Sequence, residues 1–118
     1  MQLFHFDRGE KVITRYGSEG FRATRIAEGT DHVSLTCINL APGGVVGTHP
    51  ATHAQLFLVI TGDGWVAGPD GHRTPISAGY GVRWEAGEEH TSGTEAGLIA
   101  LAVEGAGLDL FMPETPDA

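Results

Sequence analysis

Cysteine, basic residues and long apolar runs are scarce in this sequence, and each scarcity excludes a class of protein. The chain of 118 residues has one cysteine, Cys37, inside the apolar segment VSLTCINL. A disulfide-stapled scaffold is therefore excluded, and we predict that Cys37 is a small buried core residue. No stretch approaches the roughly 20 apolar residues of a membrane helix, and the first residues lack a signal-peptide pattern. We expect a cytoplasmic protein without membrane contact.

The shortage of basic residues narrows the range of partners. Seven Lys and Arg residues stand against fifteen Asp and Glu residues, which gives a formal net charge of −8. A charge of this sign repels phosphate backbones and anionic lipid surfaces. Nucleic acid is therefore excluded as an expected partner, and a small molecule remains the expected ligand.

Helical periodicity is also missing, and glycine is abundant. The 18 glycines separate short segments that favour extended structure, among them KVITRY, HVSLTCINL, QLFLVI and LIALAVE. Turn chemistry marks the joints at APGG, TGDG, GPDG, SAGYG and EAG. The pattern predicts a single all-β domain, a sandwich or barrel with few helical residues.

Two of the predicted strands are apolar on both faces. In QLFLVI, Phe57 and Val59 share the side of Gln55, whereas Leu56, Leu58 and Ile60 take the other side. LIALAV repeats this pattern. One barrel interior covers one face only, so we expect the second face to be covered by another sheet, by the N-terminal strands or by a second copy in a homodimer.

The candidate chemistry lies in GTHPATHAQLFLVITG, residues 47–62. On a helix, HxxxH would be a zinc motif, but Pro50 and the preceding glycines exclude a helix here. In an extended strand His49, His53 and Gln55 share one side. The alternative is a polar hairpin loop whose histidines face water.

At this point the sequence resembles the cupin family, whose first motif is G(X)5HXH(X)3,4E(X)6G. Gly43, His49 and Gly62 match it in register. Ala51 stands where the family has a second histidine, and Gln55 stands where it has glutamate.

The second family motif, G(X)5PXG(X)2H(X)3N, follows in order. Gly79, Gly87 and His90 match, while Glu85 replaces proline and Thr94 replaces asparagine. The resemblance implies a cupin-type jelly-roll β-barrel spanning residues 1–118, with a motif-bearing core at about 42–103 and a frayed tail at 112–118.

The resemblance also implies a metal site. It places His49, Gln55 and His90 inside the barrel, and His53 is a further candidate that could replace the imidazole missing at Ala51. Imidazole-rich sites suit divalent Zn, Fe, Ni or Cu, and three or four protein donors leave positions open for substrate. We therefore expect a metal-binding cupin that acts on or binds a small organic molecule, as an oxygenase or isomerase. The alternative is a non-catalytic ligand-binding module.

Several other side chains have two interpretations. Trp84 and Glu85 are candidates for lining a ligand pocket, although Trp84, like Trp65, could simply pack the barrel. Glu85, Glu88 and Glu89 flank His90, so one of them could hold its second ring nitrogen, or all could be solvated loop carboxylates. We expect the other three histidines to be surface residues: His5, His32 and His72.

Overall fold

Eight antiparallel strands and one 3-10 turn account for the regular structure of a computed structural model that describes residues 11–28 and 32–110. The strands are β1 Lys11–Ile13, β2 Glu19–Glu28, β3 Ser34–Pro50, β4 Gln55–Ala67, β5 Arg73–Ser77, β6 Gly81–Trp84, β7 Glu89–Gly93 and β8 Leu98–Glu104, and the 3-10 turn is Arg15–Gly17. The all-β prediction is confirmed. The tail predicted at 112–118 lies outside the described residues, as does His5.

Strands β3, β8, β4 and β7 close into a ring. Each of the long strands β3 and β4 pairs with both β7 and β8, so that the sheet returns to itself. Strands β2 and β1 extend the sheet beyond β3, and β5 and β6 pair with β4. The predicted barrel is therefore present, and its two central strands carry the first motif.

Two predicted turns, APGG and TGDG, are wrong, because β3 and β4 run through them. Strand β4 changes its pairing partners at TGDG. Before this segment it pairs with β8 and β6, and after it with β7 and β5. Gly62 has a φ of +85°, and a Cβ there would lie 2.3 Å from the carbonyl oxygen of Gly97. Glycine at this position bends the strand around a barrel corner.

The remaining joints follow the prediction more closely. The turns at GPDG, SAGYG and EAG are present between strands. The segment KVITRY is extended only at Lys11–Ile13, because the chain enters the 3-10 turn at Arg15.

The barrel interior is packed by alternate side chains of β3, β4 and β8. Phe57, Val59 and Ala100 are among its most buried members. Cys37 is a buried core residue, as predicted. The opposite faces of the same strands are less covered, since Leu58 is half-buried and Ile60 is 45% exposed. The homodimer that this face suggests stays a prediction.

No helix in the two described ranges is long and apolar enough to cross a membrane.

Candidate functional site

His49 and His90 lie directly opposite each other on neighbouring strands. They are Cα partners in the antiparallel pairing of β3 with β7, so both side chains point to the same face of the sheet. Their ring centroids are 4.4 Å apart with the planes tilted by 59°. The two motifs therefore meet at one place although 41 positions separate the histidines in sequence.

The backbone sets the tautomer of both rings. Nδ1 of His49 lies 2.7 Å from the carbonyl oxygen of Gly47, and Nδ1 of His90 lies 3.2 Å from that of Glu88. A carbonyl oxygen can only accept a hydrogen bond, so each Nδ1 carries the proton. In the neutral ring this leaves the lone pair on Nε2, which is the form that binds a metal or accepts a proton.

Burial favours the neutral form of His90. Only 2% of this residue is exposed, and desolvation lowers the pKa of its imidazole below 6.5. The neighbouring His49 lowers the pKa further, whereas the Glu88 carbonyl acts in the opposite direction. His90 is thus an uncharged nitrogen base at neutral pH.

Aromatic rings cover both histidines. Tyr16 stacks on His49 with centroids 4.5 Å apart and planes 8° from parallel. Trp84 stacks on His90 at 4.1 Å and 19°, and Phe57 contacts Trp84 at 5.8 Å. Each ring contacts the next in a series of five, which we call the aromatic wall: Tyr16, His49, His90, Trp84 and Phe57. Tyr16 is exposed and His49 is half-buried, whereas at most 3% of each of the other three residues is exposed, so a ligand would meet this wall at Tyr16 and His49.

Tyr16 is held over His49 by an unusual backbone conformation. Its φ of 62° lies in the left-handed region, which is uncommon for residues other than glycine. The turn packs so closely on β3 that a Cβ at Gly47 would lie 1.6 Å from the Tyr16 carbonyl oxygen. The Gly47 amide also donates to Ser18 Oγ at 3.0 Å. Glycine at position 47 therefore allows the turn to bring a ring onto the histidine pair.

A second row of side chains faces the same cavity from β8, β4 and β6. Gln55 is the Cα partner of Glu104 on one side and of Trp84 on the other. All three line the cavity that the two histidines line. The Glu104 carboxylate is therefore next to the amide that replaces the family glutamate.

The cavity at this site has a volume of about 640 Å³. Its lining combines the aromatic wall with small polar residues, two cations and one carboxylate. This volume lies within the range of about 300–1,000 Å³ that is typical of small-molecule sites. The barrel thus has room for an organic ligand beside the histidine pair.

His53 does not line this cavity. Strand β3 ends at Pro50 and the chain turns before β4 begins at Gln55, so the alternation of a continuous strand does not apply at position 53. The strand alternation on which the expected shared side of His53, His49 and Gln55 depends is therefore absent. Its side chain is 43% exposed, and its Nδ1 lies 3.9 Å from Glu104 Oε1. The role of His53 as a metal donor stays a prediction.

The structure separates the two interpretations of the carboxylates around His90, since no carboxylate among the described residues holds its Nδ1. The group that holds its Nδ1 is the Glu88 carbonyl, while the Glu88 carboxylate accepts the Glu85 amide at 2.9 Å. Glu85 has a 71% exposed side chain, pairs with Arg83 at 3.4 Å and does not line the cavity. Trp84 lines the cavity and also belongs to the core, so both of its interpretations stay open.

The other predicted positions are structural or exposed. His32 and His72 are exposed. Trp65 packs under the Arg73 guanidinium, whose Cζ lies 3.7 Å from the ring centroid. Thr94, at the asparagine position of the second motif, donates to the Asp63 carbonyl at 2.6 Å and accepts the Gly97 amide.

The cavity residues that sequence reasoning missed include three charged side chains and one aromatic ring: Lys11, Arg15, Glu104 and Tyr16. Three of them precede the motif region, and Glu104 directly follows its core. No local pattern marks them. The alternation of Lys11 and Ile13 on β1 is a signal for a shared face, but it does not show that this face meets the motif histidines.

The donors present fit a divalent transition ion, although sparsely. Two neutral imidazoles and one amide oxygen suit Zn, Fe, Ni or Cu better than hard cations such as Mg or Ca. Within residues 11–28 and 32–110, no cluster of three or more His, Cys, Asp or Glu side chains is placed to hold a metal. An ion here would therefore be held by His49 and His90, with Gln55 as a weaker third donor.

Comparison with solved structures identifies the fold. The polyketide cyclase RemF from Streptomyces resistomycificus superposes with a TM-score of 0.77 at 20% identity, over 98% of this chain and 89% of that one. A predicted oxalate decarboxylase from Thermotoga maritima gives 0.74 at 22% identity, over 83% and 91%. A Cupin 2 conserved barrel domain protein from Salinispora arenicola gives 0.71 at 21% identity, over 91% and 90%.

These likenesses and the closed ring of strands define a small all-β barrel with a histidine-bearing cavity. The chain has the cupin fold, which confirms the fold implied by the two motifs. No protein-family model and no curated protein matches the sequence.

Proposed function

We propose that this protein is a small-molecule cupin in which His49, His90 and Gln55 hold a divalent transition metal beside the ligand cavity. The observation that carries the proposal is the cross-strand histidine pair, since both Nδ1 atoms are bonded to backbone carbonyls and both Nε2 atoms are left as donors. Such an ion would supply Lewis-acid or oxygen chemistry at an open coordination position. Oxygenation and isomerisation are the reaction classes that this site suits.

The chain's own residues would bind and orient the organic molecule. The aromatic wall offers flat apolar contact, and the buried neutral His90 offers a nitrogen base in a desolvated setting. The solved structures with this fold include a polyketide cyclase and a predicted oxalate decarboxylase, names that denote small organic substrates. They support a small-molecule role in general and no particular substrate.

Cobalt titration of the purified, chelator-treated chain tests the metal assignment. Nitrogen ligation by two imidazoles should produce visible absorption bands. His49→Ala or His90→Ala should raise the cobalt dissociation constant at least about tenfold, which corresponds to 1.4 kcal/mol of binding free energy. His72→Ala is the matched control, since His72 is exposed and outside the cavity. Unchanged cobalt binding in the two site variants would refute the assignment. With metal restored, oxygen uptake then screens candidate substrates.

A metal-free binding module is the second candidate function. It is favoured by the sparse donor set, because the described part of the chain supplies two imidazoles and no carboxylate in one cluster. Stacked aromatic partners on both rings would suit a ligand-binding wall equally well. Elemental analysis together with ligand titration separates the two: a protein that takes up no transition metal yet binds organic ligands is this module.

A further inference from the structure

Two of the seven basic residues of this acidic chain line the histidine cavity. They are Lys11 on β1 and Arg15 in the 3-10 turn, in a protein of formal net charge −8. Within the described ranges neither forms an ion pair with a carboxylate, whereas Arg83 pairs with Glu85. Uncompensated cations in a cleft attract anions more strongly than the same charges on an open surface.

The register of the first hairpin directs Lys11 to the cavity. Lys11 is the Cα partner of Ala23, which also lines the cavity, while Val12 and its partner Arg22 line a groove on the other face. Lys11 on β1 and Arg22 on β2 thus point to opposite faces of the first hairpin. The position of Lys11 follows from strand alternation.

Arg15 lies beside the aromatic wall. Its Cζ is 5.8 Å from the ring centroid of Tyr16, and Tyr16 stacks on His49. A ring bound against this wall would therefore be close to a guanidinium group, which can form two parallel hydrogen bonds to a carboxylate.

One carboxylate opposes the two cations in the cavity lining. Glu104 is on β8, its side chain is 34% exposed, and it lies 3.9 Å from His53 Nδ1. Lys11 and Arg15 leave the balance of the lining positive by one charge. Among the residues that the structure describes, the cavity lining therefore differs in sign from the protein as a whole.

We infer that the cavity binds a flat aromatic molecule bearing a carboxylate, with its ring against the aromatic wall and its charge toward Lys11 and Arg15. The inference rests on the proposed function in so far as both use the same cavity. It does not require the metal, because the anion is recognised by two side-chain cations.

Three naphthalene probes of equal ring size test the inference. They are 1-naphthoate, neutral 1-naphthalenemethanol and cationic 1-naphthylmethylamine, titrated calorimetrically into the full chain in EDTA and again with added Zn²⁺. In EDTA we expect naphthoate to bind about tenfold more tightly than the alcohol, and the amine to bind more weakly than both. The reason is that each exposed cation raises the affinity for an anion by up to about fivefold. The preference should shrink in about 1 M NaCl, where the Debye length is about 3 Å.

Charge-removing variants locate the effect. Lys11→Gln and Arg15→Gln should each reduce the preference for naphthoate over the alcohol about threefold, at nearly constant affinity for the alcohol. Arg22→Gln, which removes the same charge from the opposite face of the hairpin, should leave the preference unchanged. Glu104→Gln should strengthen naphthoate binding. The alcohol serves as the internal test that each variant still has an intact cavity.

The outcomes separate this inference from the metal assignment. Equal binding of naphthoate and the alcohol in EDTA, an unchanged preference in both cavity variants, or no binding of any probe would overturn the inference. A charge preference in EDTA without any cobalt binding would refute the metal assignment and support the inference. Cobalt binding without the charge preference would support the metal assignment and refute the inference.

Discussion

Replacing Gly47 by alanine tests how the site is assembled. The added Cβ would lie 1.6 Å from the carbonyl oxygen of Tyr16, and the two nearest atoms are both Tyr16 backbone, which limits relief. We expect overpacking to cost about 1–3 kcal/mol, with a further loss of about 0.5–1.5 kcal/mol as the Tyr16 ring leaves His49. The total of about 1.5–4.5 kcal/mol corresponds to a Tm lower by about 6–18 °C, at about 4 °C per kcal/mol for a domain of this size.

The assay is chemical and thermal unfolding followed by circular dichroism, with Gly68→Ala as the matched control. A Cβ at Gly68 would meet only the Glu88 Oε2 atom, at 3.6 Å, which is an ordinary contact. Gly47→Ala should therefore unfold well below both the control and the parent. If the two alanine variants have the same unfolding midpoint, the proposed close packing of the 3-10 turn on β3 is refuted.

A second variant of the same contact adds a coupling test. Ser18→Ala removes the acceptor of the Gly47 amide, a bond of 3.0 Å in a buried position, and should cost about 1–3 kcal/mol. Because both variants loosen the same turn, the double variant should cost less than the sum of the single changes. Strict additivity would contradict a shared contact.

Three further predictions concern His90, His53 and the outer barrel face. In EDTA, the free energy of unfolding should fall as the pH drops below 6.5, because burial lowers the pKa of His90 in the folded state and the unfolded chain binds the proton first. The slope should reach at most about 1.4 kcal/mol per pH unit, and a pH titration of His90→Gln that keeps the full slope would contradict this assignment. The predicted donor role of His53 is tested by His53→Ala: a tenfold higher cobalt dissociation constant would support this role, and a change of less than about threefold would refute it. Light scattering should show a homodimer of about twice 12.4 kDa, and Leu58→Arg, on the half-buried outer face, should convert it to a monomer; a monomeric parent would reject the dimer.

Local patterns in the sequence were sufficient for the class of fold and for the centre of the site. Glycine spacing and short apolar segments predict strands because both act through the conformations of a few neighbouring residues. The resemblance to the two cupin motifs implied that His49, Gln55 and His90 lie together, and all three line one cavity. His49 and His90 meet because they are direct partners on β3 and β7, while their role as metal donors stays a prediction.

Local reasoning failed where the path of the chain depends on distant contacts. The glycines of TGDG predict a turn, yet β4 continues through them because β7 and β5 supply new hydrogen-bonding partners there. The alternation assumed for His53 fails because the chain turns after Pro50, where the Ala51 amide donates to the Glu88 carbonyl and the Ala51 carbonyl accepts from the Gly87 amide. Both outcomes depend on residues far away in sequence.

The sequence by itself determined that this protein is an all-β barrel, because glycine spacing and short apolar segments act through a few neighbouring residues. The inward placement of its motif histidines followed from the resemblance of the two motifs to those of cupins. The tertiary structure alone decided what surrounds those histidines. Tyr16, Lys11 and Arg15 join the site because the first hairpin folds across β3, and Glu104 joins it through the pairing of β8 with β4. These contacts link distant segments through packing, which no pattern within a short stretch of sequence records.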